Sequence, residues 1–470
     1  MNETKRPRSW WLREALADDP GEPCPPLERD VDADVLVIGG GYTGMWTAHF
    51  IKEAEPDRNV VLLEKDICGG GPSGRNGGFV NAFWEDIESL IEAVGEERAL
   101  TVCRIGERSL TEIGEWCDLH GVDAWYTPSP HMGVSASPAQ DGAWDEWVAT
   151  MERLGVADGR LEILSAEQVQ RVCRSPIFRA GIVTPNTALA QPARLARGLR
   201  RVLLEHGVRI HENTEVKRFR GGPPAEAETR GGRRVRAGTA VLALNAWASE
   251  WKWFRRTILP RGSYIVLTEP IPDRLEEIGW TGPEGIYDFR TTLHYLRTTP
   301  DGRIAFGAAS SRAGLGSGLD GRLDYDDVSV RRITNDMRRM FPSLANVKIE
   351  AAWGGPIDVS SFHFPFFGTL SPGNVHYGLG FTGGGCGPCH LAGKVLSGLS
   401  QGADDEYTRL PLVGLRPKKF PPEPIRSVGA FLSHEAIVRK DEAEDDAKRP
   451  NPLIDFVAKL PRRLGYNIGP

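Results

Sequence analysis

Residues 33–44 read ADVLVIGGGYTG, and this stretch decides the fold. Its first half is a short apolar run rich in β-branched residues, the pattern of a parallel strand buried on both faces. Its second half fits G-x-G-x-x-G with Gly39, Gly41 and Gly44. In that pattern the first glycine permits a tight turn. The second lets backbone approach a pyrophosphate, and the third allows a helix to pack closely on the strand. Helical spacing follows over 42–55, and Val60-Val61-Leu62-Leu63 reads as a second buried strand. Together these make a βαβ unit of about 30 residues. Glu64 ends the second strand, 20 residues beyond Gly44. A carboxylate there accepts hydrogen bonds from ribose hydroxyls, while the helix N-terminus offers unpaired N–H groups to phosphate. The combination predicts a dinucleotide site; a plain glycine-rich turn leaves Glu64 unexplained.

A second glycine loop, GGGPSGRNGG at 69–78, begins five residues after Glu64. A long loop so close to the first unit suits an extended flavin dinucleotide, so FAD is expected rather than NAD. A merely flexible loop would not need Arg75 and Asn76 set among glycines.

Further along, helices are expected over roughly 85–120 and 138–153, an αβ stretch over 191–218, a buried strand at 240–244 and sheet over 260–310. A helix near 326–340 ends at Phe341-Pro342, and 374–400 repeats the strand, glycine loop, helix pattern. Parallel βαβ pieces interrupted by antiparallel sheet predict an α/β (α+β) fold: a Rossmann-like FAD-binding domain with an inserted mixed or antiparallel substrate domain. The expected division gives 31–85, 188–250 and 345–412 to the first domain and 86–187 and 251–344 to the second. Residues 1–30 read as an irregular arm whose Trp10-Trp11-Leu12 cluster docks on the body, and 413–470 as a Pro-rich, charged extension.

The 470 residues carry a net charge of -6, without the basic excess that attracts nucleic acid. No stretch of about 18 apolar residues suggests a membrane span, and the start lacks the apolar core of a signal peptide. Seven cysteines without a framework spacing point to a reducing, cytoplasmic setting. No motif sets out metal ligands, and no feature specifies an oligomeric state.

The segments DVLVIGGGYTGMWTAHF, VVLLEKDICGGGPSGRNGGF, NAWAS at 245–249 and GLGFTGGGCGP at 378–388 resemble the D-amino acid oxidase superfamily, in which glycine oxidase, sarcosine oxidase and γ-glutamylputrescine oxidoreductase-like proteins fall. The last group is the most similar, through Ser73-Gly74-Arg75-Asn76-Gly77 and Ala352-Trp353-Gly354-Gly355. The likeness covers roughly 31–412. It implies FAD, covalent or not, held by Gly39, Gly41, Tyr42, Thr43, Gly44, Glu64, Lys65, Ser73, Gly74, Arg75, Asn76, Gly77, Val216, Asn245, Gly380, Thr382, Gly383 and Gly384. Val216 would meet the adenine side by backbone. The helix after Gly383-Gly384-Gly385 would aim its N-terminus at the flavin ring, where reduction leaves negative charge.

The resemblance also implies the reaction. A small primary or secondary amine loses hydride, and water hydrolyses the imine to a carbonyl product and an amine or ammonia. O2 or another acceptor takes the electrons. A flavin monooxygenase or halogenase, or a non-catalytic flavoprotein, is the alternative. A protonated amine has no lone pair to drive hydride loss, so the site must favour the neutral form.

The catalytic candidates are His294, Tyr295, Arg297 and Trp353. Alternation puts His294 on one face of its strand and Tyr295 with Arg297 on the other, and the family's Tyr-and-Arg strand favours the second face. Asp358 and His363 are candidates to meet a cationic amine, and Arg290 or Arg297 to clamp an anion. Two departures stand out. No arginine follows the Trp-x-Gly segment, where amino-acid-oxidising members grip a carboxylate. No lysine appears in Arg303–Gly307, where sarcosine oxidases use one toward oxygen. Cys386-Gly387-Pro388-Cys389 reads either as a dithiol pair or as small residues filling the glycine loop, and a cysteinyl-flavin bond at Cys386 is a third option. Pro452–Leu460 has amphipathic spacing, suited to packing on its own subunit, a neighbour or a membrane surface.

Overall fold

The computed structural model describes residues 8–309, 319 and 321–467. The run 33–38 forms the strand Val31–Ile38 at the centre of a parallel sheet. It pairs with Val60–Leu63 on one side and Arg234–Leu242 on the other, and Arg209–His211 and Val375–Leu379 extend the parallel set outward. The interior of these strands is fully buried, which is why they read as unbroken apolar runs. An antiparallel meander, Val216–Arg220 and Ala225–Thr229, runs into Arg234–Leu242 and finishes one side. Helices Tyr42–Ala54, Pro192–Glu205 and Cys386–Gln401 cover the sheet, as the βαβ pattern requires.

The second sheet has eight strands and forms the other layer. Its long edge strand, Ile349–Val359, pairs antiparallel along Leu259–Thr268. Residues 349–359 were expected with the first domain. They join the second sheet instead, because nearly the whole segment pairs antiparallel with Leu259–Thr268. The helix Asp327–Met340 buries Ile333, Met337 and Met340 against the sheet's far face.

The arm docks as expected. Ser9 caps the helix Trp10–Asp18, and Trp11 and Leu12 are fully buried. The Ser9 hydroxyl donates to the Gly74 carbonyl at 2.5 Å, and Arg8 pairs with Asp66, so the arm braces the second glycine loop. The extension forms two helices, Ile425–Asp445 and Pro452–Arg463, packed on each other through Ala436, Ile437, Ile454, Val457 and Ala458. Among the described residues no helix is long and apolar enough to cross a membrane.

Candidate active site

The first glycine loop has the geometry its spacing demands. Gly39 has φ +115, and a Cβ there would sit 2.2 Å from the Ala243 carbonyl oxygen. A Cβ on Gly44 would lie 2.0 Å from the Gly39 carbonyl oxygen, so helix Tyr42–Ala54 can approach its strand only with glycine. Gly41 is the N-cap of that helix and supplies no side-chain cap, which leaves the helix end open to an anion. Glu64 is held beside it, accepting from the backbone N–H groups of Gly40 and Asp66 at 2.8 Å each. Burial raises its pKa, while those two donors pull the other way. Val216 begins its strand two residues after Thr214, whose N–H donates to the Glu64 carbonyl.

The second glycine loop is tied to the first, since Ser73 Oγ accepts from the Tyr42 N–H at 2.9 Å. Asn76 donates to the carbonyls of Pro72 and Ser73 and accepts from the Gly78 N–H. The Arg75 guanidinium is buried and committed to the protein, donating to the carbonyls of Gly70 and Gly354, with Asp324 at 3.6 Å. It shapes the loop. Lys65 lies over the Trp247 ring. The Tyr42 hydroxyl donates to the Pro192 carbonyl, and Thr43 Oγ1 meets Cys389 Sγ. A Cβ on Gly74 would lie 2.2 Å from the Gly69 carbonyl oxygen.

The third loop, 380–385, is held from below by Asp358. This carboxylate is fully buried and accepts from the Gly380 N–H at 2.6 Å and from Asn245 Nδ2 at 3.2 Å. Burial pushes it up to about 7 against the backbone donors of the 380–382 turn. Asn245, Thr382 and Gly383 all have positive φ, which this turn and its support require. Helix Cys386–Gln401 then starts with no side-chain cap. The residues present therefore fit FAD: three glycine cradles, uncapped helix ends and the buried Glu64 carboxylate at the end of the second strand.

A cavity of about 650 Å³ opens beside these loops. Asn76, Gly77, Thr382, Gly383, Gly384 and Cys386 form one part of its wall, and Tyr295, Ser263, Tyr287 and Phe79 from the second sheet's side form another. Tyr295 and Ser263 share a hydroxyl hydrogen bond of 2.7 Å. A Cβ on Gly77 would lie 2.9 Å from the Tyr295 ring, so the glycine loop makes room for this tyrosine. The remaining wall is acidic: Glu85, Asp86, Glu88, Glu92 and Glu146 all line the cavity. Glu85 is exposed toward this space, with protein packed around the cavity on its other sides. Burial, with the Asp86 charge adding to it, pushes Glu85 up to about 7. Tyr287 and Asn81 each reach it at 3.4 Å. His131 also lines the space but is neutral, pushed down to about 4 by burial, with Nε2 at the Ala188 carbonyl.

Of the four catalytic candidates only Tyr295 reaches this cavity, and three placements need correction. His294 is fully buried on the opposite face of the strand, between Asp288 at 2.7 Å and Asp336 at 3.2 Å. Arg290 completes that cluster with Asp336, Asp441 and Asp445, so it clamps no substrate anion. Arg297 shares the Tyr295 face but turns away. Its guanidinium donates to the Ala190 carbonyl at 2.6 Å and lies 5.7 Å from the Trp11 ring centre. Trp353 is core: its indole N–H donates to the Arg75 carbonyl, and it packs edge-on to Trp11. Asp358 supports a loop instead of facing an amine, whereas His363 lines the cavity 3.9 Å from Asp86. The thiols of Cys386 and Cys389 are buried and raised, Cys386 to about 12, so neither is a reactive thiolate.

The acidic wall was missed because its residues sit on helix Ile87–Val94, on helix Asp145–Arg153 and in the 84–86 turn, where charges read as ordinary solvated faces. Glu85-Asp86 directly after Trp84, close behind the second glycine loop, was the one local hint. Among the described residues no group of His, Cys, Asp and Glu is arranged to hold a metal.

This architecture defines an FAD-dependent oxidoreductase, and the chain belongs to the family described as "DAO: FAD dependent oxidoreductase", which matches residues 34–399. It is 29% identical over 389 residues to gamma-glutamylputrescine oxidoreductase of Escherichia coli (strain K12), covering 82% of this chain and 87% of that protein. It is 22% identical to sarcosine oxidase subunit beta of Rhodobacter capsulatus, over 75% of this chain and 81% of that one. The fold is similar to that of glycine oxidase from Geobacillus kaustophilus, with a TM-score of 0.67 at 16% identity, over 82% of this chain and 99% of that one.

Proposed function

We infer that this enzyme oxidises the C–N bond of a small amine that carries positive charge, giving an imine that water hydrolyses to a carbonyl compound and a smaller amine or ammonia. The observation that carries this reading is the cavity beside the glycine loops, lined by five carboxylates and by no lysine. Opposite charges within a few ångströms favour binding of a cation. FAD, when bound, supplies the two-electron acceptor for the carbon next to nitrogen. It is held by the glycine, Glu64, Ser73, Asn76, Val216, Asn245 and Thr382 groups described above.

The protein's own share is to bind the ammonium, strip its extra proton and exclude water. Glu85, at about 7, has the right basicity to take that proton near neutral pH. The Tyr295–Ser263 pair and the rings of Phe79, Phe364 and Phe381 enclose the reacting end. The name of the relative, gamma-glutamylputrescine oxidoreductase, supports an acylated diamine as substrate.

The test is anaerobic bleaching of the flavin absorption band with diamines, γ-glutamylated diamines, N-methyl amines and amino acids, followed by air. Bleaching by the diamine-derived class is expected, and fast recolouring in air would mark an oxidase. Bleaching by none of them overturns the reading.

A further inference from the structure

The extension lies beyond residue 399, where the family match ends, yet it reaches the substrate cavity. Its first helix is clipped to the second sheet. Asp441 accepts from the Thr292 N–H at 2.8 Å and from its hydroxyl at 2.6 Å, and Asp445 pairs with Arg290 and Arg339. Its second helix turns back, and the following residues are stitched to the start of the extension and to the body. Phe420 stacks on Tyr466, Lys418 donates to the Leu464 carbonyl, and the Asn467 N–H donates to the Ser361 carbonyl at 3.1 Å. Asn467 Nδ2 also reaches Ser89 at 3.3 Å, on the helix that carries Glu88 and Glu92. Arg462, Gly465 and Asn467 thereby become part of the cavity wall.

The cations of that wall can be taken one by one. Arg75 is spent on backbone carbonyls, His131 is neutral and His363 stands beside Asp86. The Arg462 guanidinium has neither a hydrogen bond nor an ion pair among the described residues. Its field reaches Glu88, whose carboxyl burial and Glu146 push up and Arg462 pulls down. A guanidinium facing a cavity with its fork of donors open is suited to a carboxylate, which it can bind through two parallel bonds.

We propose that the extension is the outer wall of the substrate site and that Arg462 is a specificity-determining residue, binding a carboxylate carried by the substrate away from its reacting amine. The word substrate rests on the amine-oxidising function above; the clamp itself is a binding property and is measured as one. The consequence is a polarity: amine toward the glycine loops, carboxylate toward the C-terminal tail.

The test compares the full-length, FAD-loaded protein with Arg462→Ala, Arg462→Lys and a neighbouring control, Arg463→Ala, whose side chain lies over the Phe456 ring outside the cavity. The probes are 6-aminohexanoate, hexylamine and glutarate, with binding followed anaerobically by perturbation of the flavin spectrum and by calorimetry. Arg462→Ala is expected to weaken 6-aminohexanoate and glutarate about tenfold, as loss of a charge-assisted bond implies. Hexylamine should stay within about twofold, Arg462→Lys should recover part of the loss, and Arg463→Ala should match wild type. Equal changes for hexylamine and 6-aminohexanoate would show that Arg462 only neutralises Glu88, and the proposal fails. It fails too if neither carboxylate binds wild type. If glutarate binding depends on Arg462 but no amine ever bleaches the flavin, the clamp stands and the amine-oxidising reading falls.

Discussion

Two charged regions lie on opposite faces of the strand His294–Thr298. On one face His294, Asp288, Asp336, Arg290, Asp441 and Asp445 form a sealed cluster in which carboxylates meet imidazole and guanidinium groups within 4 Å. On the other, beyond Tyr295, carboxylates line an open cavity with few cations to match them. The residue types are nearly the same. Buried charges survive only when paired, so the charges of the first cluster are taken up by one another and fasten the extension to the sheet. Unpaired charges facing a cavity keep their attraction for something that arrives from outside. Charge alone does not mark a site; charge left unmatched in an enclosed space does.

Breaking the sealed cluster should have the largest effect. Arg290→Ala leaves Asp336, Asp441 and Asp445 short of a cation. A loss of about 3–5 kcal/mol of folding stability is expected, read by denaturant unfolding. Flavin bleaching by amines should persist in the fraction that stays folded. An unchanged unfolding midpoint would erase the distinction between the two regions.

The open region should answer in binding and rate, with stability almost untouched. Glu85→Gln is expected to weaken a cationic amine by about tenfold, or about 1.4 kcal/mol. Glu85 is protonated below pH 7 and charged above, so amine binding and flavin reduction should rise as pH climbs through about 7 in wild type. That rise should vanish in the variant. A rise that survives would assign the titration elsewhere. Tyr295→Phe removes one side of the Ser263 pair and should cost about 1 kcal/mol in the reduction barrier, measured by stopped-flow bleaching.

The smallest effect is a slope. Burial opposes charge on His294, but the Asp288 carboxylate and Asp336 outweigh it against Arg290, so its folded-state pKa is raised. A raised histidine stabilises the fold fully below its unfolded value, about 6.5, and loses that contribution as pH rises through the folded value. Melting temperature should therefore fall above neutral pH, and His294→Gln should flatten that fall. An identical pH profile in the variant would show that His294 is already neutral.

Much of the cofactor-binding half could be read locally. Gly44 is demanded by the Gly39 carbonyl a few residues away, the G-x-G-x-x-G spacing flags Gly39 and Gly41 although their close neighbours, Ala243 and Ser73, come from later in the chain, and strands that are wholly apolar declare their burial. Alternation along the strand likewise separates His294 from Tyr295 in the sequence alone. The face that opens to the cavity was chosen by packing: helix Asp327–Met340 and the extension cover the His294 side. Trp353 and Arg297 were drawn inward by the arm, since Trp11 contacts both. A βαβ dinucleotide unit, the glycine loops and the expectation of FAD were legible in the sequence, because motif spacing and hydrophobic periodicity are local patterns. Which charges are spent and which are left facing the cavity is set by long-range packing. Glu85, Glu146 and Arg462 come from three distant parts of the chain, and no local pattern records that they meet.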